Sequence, residues 1–173
     1  PDTGNVLAHV GGRDYAHSQY DFIELGRRPF GTAFLPMVYA AALQDGGHPC
    51  TTVQDEAMDA RAVAVGAQEG ILGEWGMEVT NPHYEGRISM TRALASSKLA
   101  ATVRLGRELT LAKVAAQARA FGLPVDGEDL LTRMLLGHDS VSLREAVGAY
   151  AAISRKGQLP GEPRYIERIE NGD

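Results

Sequence analysis

The stretch from Arg27 to Leu43, RRPFGTAFLPMVYAAAL, constrains the fold more than any other part of the chain. It predicts a tight turn at Gly31 and a helix entered at Thr32, with an almost wholly apolar body from Met37 to Leu43. A helix with no polar face belongs in the middle of a domain, covered on all sides. Pro36 is compatible because it falls in the first turn, where backbone N–H groups have no intrahelical partner. Gly46 and Gly47 supply a left-handed ending.

At 173 residues the chain is long enough for a substantial core and reads as one domain, 1–173, or a large piece of one. A net charge of −5, with lysines and arginines scattered, excludes the basic stripe of a nucleic-acid surface. No run reaches the apolar length of a membrane span, and no signal peptide is present. Pro1 is not a start methionine, so the chain reads as a processed or excised segment. The single cysteine, Cys50, excludes an internal disulfide and is expected to be buried, as free cysteines usually are.

Along the chain, Asp2 to Asn5 is turn chemistry, and Val6 to Val10 predicts a short strand into Gly11-Gly12. His9, His17 and Ser18 are expected at solvated loop or edge positions. His48 to Ala60 reads as a loop. Ala57 to Gly73 reads as a weak, closely packed helix; its glycines lack the lysine and the spacing of phosphate loops. Trp75 is a core or loop anchor. Ser89 caps a helix expected to run unbroken from Met90 toward Leu105. Thr110 opens another through Phe121, closed by Gly122 and Pro124. Asp129 to Leu136 is a short helical turn ended by Gly137, and Ser142 with Glu145 forms a capping box for a helix to Arg155, closed by Gly157. Arg164 to Ile169 alternates in polarity like a strand. The five histidines show no ligand spacing with Cys, Asp or Glu, so neither metal nor cofactor is expected.

Five stretches together resemble one family. RRPFGTAFLPMVYAAAL is similar to the nucleophile helix of penicillin-binding proteins, RQPGSSFKPFVYAAAL, with Thr32 at the serine and Leu35 at the lysine of S-x-x-K. TGNVLAHVGGRDYAHSQYD resembles TGxVLAMVGGxDYxxSQFN, a hairpin arm. EWGMEVTNPHYEGRIS resembles WxPxNxxxxYxGxVT through Trp75, Asn81, Tyr84 and Gly86, which the resemblance makes substrate-binding. RALASSKLAATVRL resembles the S-x-N segment, with Ser97 kept, Lys98 at the variable position and Leu99 at the asparagine. VSLREAVGAYAAISRKG is similar to VSLxExAxAYAxFANGG, and Asp55 resembles an aspartate in the loop after the nucleophile helix. The third motif, K-T-G, does not occur.

The resemblance implies an α/β (α+β) fold, the penicillin-recognising serine-transpeptidase domain with helices around an antiparallel sheet. This chain carries its helical part and only some strands. It also implies an extracytoplasmic location, tethered to the membrane through a segment not in this chain. Implied partners are peptidoglycan stem peptides or a β-lactam, and a glycosyltransferase domain or other cell-wall proteins.

Chemistry sets the altered positions apart. A serine nucleophile needs a base within hydrogen-bond reach, and a lysine three residues on lies one helical turn away on the same face. Leu35 can neither take nor return a proton, and general-base help is worth about 10²–10⁴ in rate. The extra methyl of Thr32 crowds acylation and restricts χ1. Ser97 beside Lys98 is a serine–lysine pair, but adjacent helix residues diverge by about 100°. The expectation is a degenerate, catalytically inactive transpeptidase-like domain with a structural or peptidoglycan-binding role. The alternatives are residual acyl-enzyme activity through Thr32, and half of a split domain completed by a second chain at open sheet edges.

Overall fold

The computed structural model describes residues 3–63, 83–125 and 130–170. It divides into two compact units, one of Pro29–Arg119 and Val125–Asp139, the other of Pro1–Arg28, Ala120–Pro124 and Ser140–Asp173. Its elements in order are β1 (Arg28–Pro29), α1 (Leu35–Gln44), β2 (Thr52–Asp55), β3 (Gly86–Ser89), α2 (Met90–Ala95), α3 (Leu99–Leu109), α4 (Leu111–Ala120), β4 (Ser140–Val141) and α5 (Leu143–Ser154).

The first unit is built around α1. Gly31–Phe34 forms a 3-10 turn, so the α-helix begins at Leu35 rather than at Thr32. Pro36 sits in the first turn as its missing N–H requires. Leu35, Met37, Val38, Tyr39, Ala41 and Ala42 are buried, while Leu43 reaches solvent at the end of the helix. Gly46 takes φ +94° and the Gly47 N–H closes onto the Ala42 carbonyl at 2.8 Å.

Helix α3 packs against α1, against β2 and against the 3-10 turn Thr132–Leu136. Gly106 lets Leu135 lie on the helix: a Cβ there would be 2.5 Å from Leu135 Cδ2. Val114, Ala115 and Ala118 form the buried stripe of α4 that their spacing predicts. Strands β2 and β3 pair antiparallel, Val53 opposite Ile88 and Asp55 opposite Gly86. The loop expected from His48 to Ala60 therefore contains a strand, signalled by the alternating burial of Thr52, Val53, Gln54 and Asp55. Cys50 is exposed, not buried, because it lies in the turn closed by Thr51 N–H and the His48 carbonyl at 2.7 Å.

Two other expectations change. The single helix from Met90 toward Leu105 is broken into α2 and α3 by Ser97, at φ +49°. In the second unit neither Val6–Val10 nor Arg164–Ile169 forms a strand; one parallel bridge joins Asn5 to Arg164. The capping box of Ser142 and Glu145 is present, with Ser142 N–H on Glu145 Oε2 at 2.7 Å. Gly157 closes the helix through the Ala152 carbonyl at 2.8 Å. Trp75, Asn81 and the glycines of 64–73 lie outside the described residues.

Gly137 braces the turn before α1. It caps Thr132–Leu136 at φ +67°, and its carbonyl accepts the Gly31 N–H at 2.8 Å. A Cβ on Gly137 would strike the Gly31 backbone, 2.6 Å from its nitrogen. Gly137→Ala therefore lowers the unfolding free energy by roughly 2–4 kcal/mol in denaturant titration, from strain at positive φ and overpacking. Gly148→Ala, inside α5 with open space around it, raises stability by about 0.5–1 kcal/mol in the same assay.

Candidate functional site

Thr32 lies in the 3-10 turn, half-buried, and its hydroxyl makes no hydrogen bond among the described residues. One turn on, Leu35 is 1% exposed and belongs to the core of this unit. Leu99 opens α3 and is 8% exposed. The two leucines thus stand on helices that pack together, and both are buried.

The break between α2 and α3 is where polar groups converge. Ser97 is half-buried in a left-handed conformation, and Lys98 is the N-cap of α3 in extended conformation. Lys98 and Ser97 are therefore not neighbours on one helix, as the unbroken helix required. Lys98 Nζ lies 2.9 Å from Asp55 Oδ2 and 3.2 Å from Glu85 Oε1, and donates to the His83 carbonyl at 2.8 Å. Three acceptors take its three N–H groups. The side chain is 14% exposed. Burial pushes the ammonium down, but the Asp55 and Glu85 carboxylates more than offset this and hold its pKa above the ordinary lysine value. A raised pKa disfavours the neutral amine that a general base needs.

The carboxylates are anchored in turn. Asp55, 2% exposed, accepts the Glu85 N–H at 3.0 Å through the oxygen that meets Lys98. Glu85 also receives Arg92 Nε at 3.0 Å, and the hydrogen bonds from Arg92 and Lys98 hold its carboxyl below the usual range. The Arg104 guanidinium binds the carbonyls of Gln54, Glu56 and Ala57 at 3.2, 2.8 and 2.8 Å, fixing the end of β2.

Behind the break runs a hydroxyl chain. Thr102 donates to the Lys98 carbonyl at 2.9 Å, so its only proton is used, and Tyr39 must donate to Thr102 Oγ1 at 2.9 Å. Burial pushes the Tyr39 phenol up to about 12, with Asp55 adding to the shift. Among the described residues, no group of three His, Cys, Asp or Glu side chains could hold a metal ion.

Of the residues singled out in the sequence, the structure brings Lys98 together with Asp55 and places Tyr84 beside Glu85, just ahead of β3. Trp75 and Asn81 are outside the described residues. Glu85, Arg92, Tyr39, Thr102 and Arg104 were missed as a network. Glu85, Arg92 and Arg104 carry only the signal of scattered charge, and Tyr39 and Thr102 on α1 and α3 carry none.

No family model matches the chain. Penicillin-binding protein 2D of Bacillus subtilis is 31% identical over 169 residues, 98% of this chain and 23% of that protein. Penicillin-binding protein 1A of Rickettsia conorii is 29% identical over 171 residues, 99% of this chain and 21% of the relative. The crystal structure of penicillin-binding protein 1A from Haemophilus influenzae superposes with a TM-score of 0.68 at 23% identity, covering 83% of this chain and 20% of that one. PonA1 of Mycobacterium tuberculosis gives 0.67 at 20% identity, covering 88% and 39%. The chain is a relative of the penicillin-binding proteins. It carries part of the transpeptidase fold, as the mixed helices and small antiparallel sheet imply, and spans about a fifth of the length of the curated relatives it matches. Penicillin-binding protein A of M. tuberculosis, solved as an imipenem acyl-enzyme complex, superposes at 0.59 with 19% identity over 77% of this chain and 34% of that one.

Within this penicillin-binding-protein relative, Lys98→Met strips a buried carboxylate of its counter-charge. It lowers the unfolding free energy by about 3–5 kcal/mol, and Asp55→Asn in the same chain recovers part of the loss. Both are read by denaturant titration at neutral pH. The Lys98 contribution is full below the ordinary lysine pKa and lost as pH rises through the raised folded value. The Glu85 contribution is present above the ordinary glutamate pKa and lost as pH falls through its depressed folded value.

Proposed function

We propose that this chain is a degenerate, catalytically inactive transpeptidase-like domain, 1–173, of a peptidoglycan synthase, with a structural or peptidoglycan-binding role. The observation that carries the reading is Leu35, a core side chain at the position where the family resemblance calls for the lysine base. With no amine one turn from Thr32, the hydroxyl has no base on its own helix. Lys98, the other candidate amine, is saturated by Asp55, Glu85 and the His83 carbonyl.

Leu99 supports the same reading, since an amide there would offer donors and acceptors where leucine offers none. Replacing polar side chains by buried leucines leaves no unpaired group behind and so favours stability over chemistry. The role that remains is to hold stem peptide non-covalently, or to seat a glycosyltransferase domain or other wall protein, on the extracytoplasmic side. No described helix is long and apolar enough to cross a membrane; the tether is proposed to lie in another segment.

The second unit favours a further reading. Leu7, Val10, Ile166 and Ile169 are between 67% and 91% exposed, on segments joined by a single bridge. Extended apolar segments without ladder partners invite strand pairing. We propose that a strand-presenting segment, of the same polypeptide or of a partner chain, pairs with these segments.

Intact mass after incubation with a penicillin tests the inactive reading. The expected result is an unchanged mass for the folded protein. A gain of one drug molecule, abolished in Thr32→Ala, would overturn it and establish acylation through Thr32.

A further inference from the structure

The second unit contains a line of side-chain contacts that the transpeptidase frame does not use. His9 Nε2 lies 2.7 Å from Asp21 Oδ2. Its other ring nitrogen, Nδ1, is 3.1 Å from the Tyr165 hydroxyl, and the two rings meet edge-on with centroids 5.4 Å apart. The Tyr165 hydroxyl donates to Glu24 Oε1 at 2.9 Å, and Glu24 Oε2 pairs with Arg144 Nε at 2.9 Å. Asp21 Oδ1 accepts the backbone N–H groups of Ile23 and Glu24 at 2.8 and 3.3 Å. His9 sits at a loop position, partly exposed, and both ring nitrogens are engaged. His17, by contrast, is exposed and pairs only with Asp14.

Counting protons fixes the state of the ring. A carboxylate only accepts, so Nε2 must carry a proton for Asp21. Tyr165 has one proton and gives it to Glu24, so it offers His9 a lone pair, and Nδ1 must carry a proton too. The contacts are complete only with His9 as imidazolium. Asp21 and Glu24 then face His9 and Arg144, two charges of each sign. Supporting this, burial pushes the Asp21 carboxyl up, but the hydrogen bonds from His9 and the Ile23 and Glu24 amides hold it lower overall. The Glu24 contact raises the Tyr165 phenol.

We propose that His9 is a proton-operated latch joining the N-terminal arm to the segment around Tyr165. That join has little else: the Val6 N–H on the Arg164 carbonyl at 2.9 Å, the Arg164 N–H on the Gly4 carbonyl at 3.0 Å, and the Arg164 guanidinium on the Thr3 carbonyl at 2.9 Å. When the ring loses one proton, Nδ1 and the Tyr165 oxygen present lone pairs to each other, or Tyr165 must abandon Glu24. Either way one hydrogen bond of the join is lost. His9 and Asp21 line an open cleft of about 360 Å³, so solvent reaches the ring and exchanges its proton freely.

The test follows the His9 ring by nitrogen-15 NMR across the pH range in which histidines titrate, with amide-exchange protection of Val6 and Arg164 measured on the same full chain. The expected result is two protonated ring nitrogens on the acid side. Protection at Val6 and Arg164 then falls fivefold or more as one proton leaves, while amides of α1 keep theirs. In Tyr165→Phe and in His9→Gln that fall disappears. A singly protonated ring while the join is fully protected would overturn the proposal. So would an equal pH-dependent loss of protection in His9→Gln, which has no ring to titrate.

Discussion

The buried ion pair of Lys98 with Asp55 is the interaction on which the first unit depends. It joins three separate stretches, the end of β2, the approach to β3 and the break between α2 and α3. A charge in such a place is tolerated only if every donor and acceptor is used. Here Lys98 spends three protons, Asp55 Oδ2 takes the Glu85 amide as well as Lys98, and Arg92 meets Glu85 from the solvent side. The same cluster holds the chain where Ser97 adopts its left-handed turn, a conformation costly for a serine without surrounding support.

The fold was legible in the sequence wherever local rules decide. Pro36 at the start of α1, the Ser142–Glu145 capping box, the left-handed Gly137 and the Val114–Ala118 stripe are each set by residues within a turn or two of one another. Contacts across long stretches of chain were not legible. Strand β2 is four residues long, and its partner β3 lies more than thirty residues away, so alternation in TVQD was too short a signal to separate from loop. The helix break at Ser97 has the same origin: the residues around it are good helix formers, and the tertiary pull of Asp55 and Glu85 on Lys98 outweighs their propensity. Cys50 was misjudged because composition says where cysteines usually sit, not where a particular turn falls. The contacts of His9 were not legible because Asp21 and Tyr165 are its partners only after folding.

On the proposed reading, the candidate site keeps the family's frame without its chemistry. The glycine turn, the apolar helix and the serine at the helix break persist, and each is also a packing feature that folding alone requires. The lysine and asparagine positions carry leucine, which folding accepts more readily than a buried amine or amide without a partner. Thr32 keeps its hydroxyl in a half-buried turn, where neither burial nor hydrogen bonding forces a change.

The central claim is that the position of the lost base is now dry core rather than a cleft awaiting a lysine. The unfolding free energy of Leu35→Lys tests it most directly. Dry surroundings predict a loss of about 3–5 kcal/mol, as expected for an amine buried among apolar side chains and forced to shed its proton or stay unpaired. A loss below about 1 kcal/mol, within the range of a surface substitution, would show that the site is solvated and ready to receive the base, and would contradict the account.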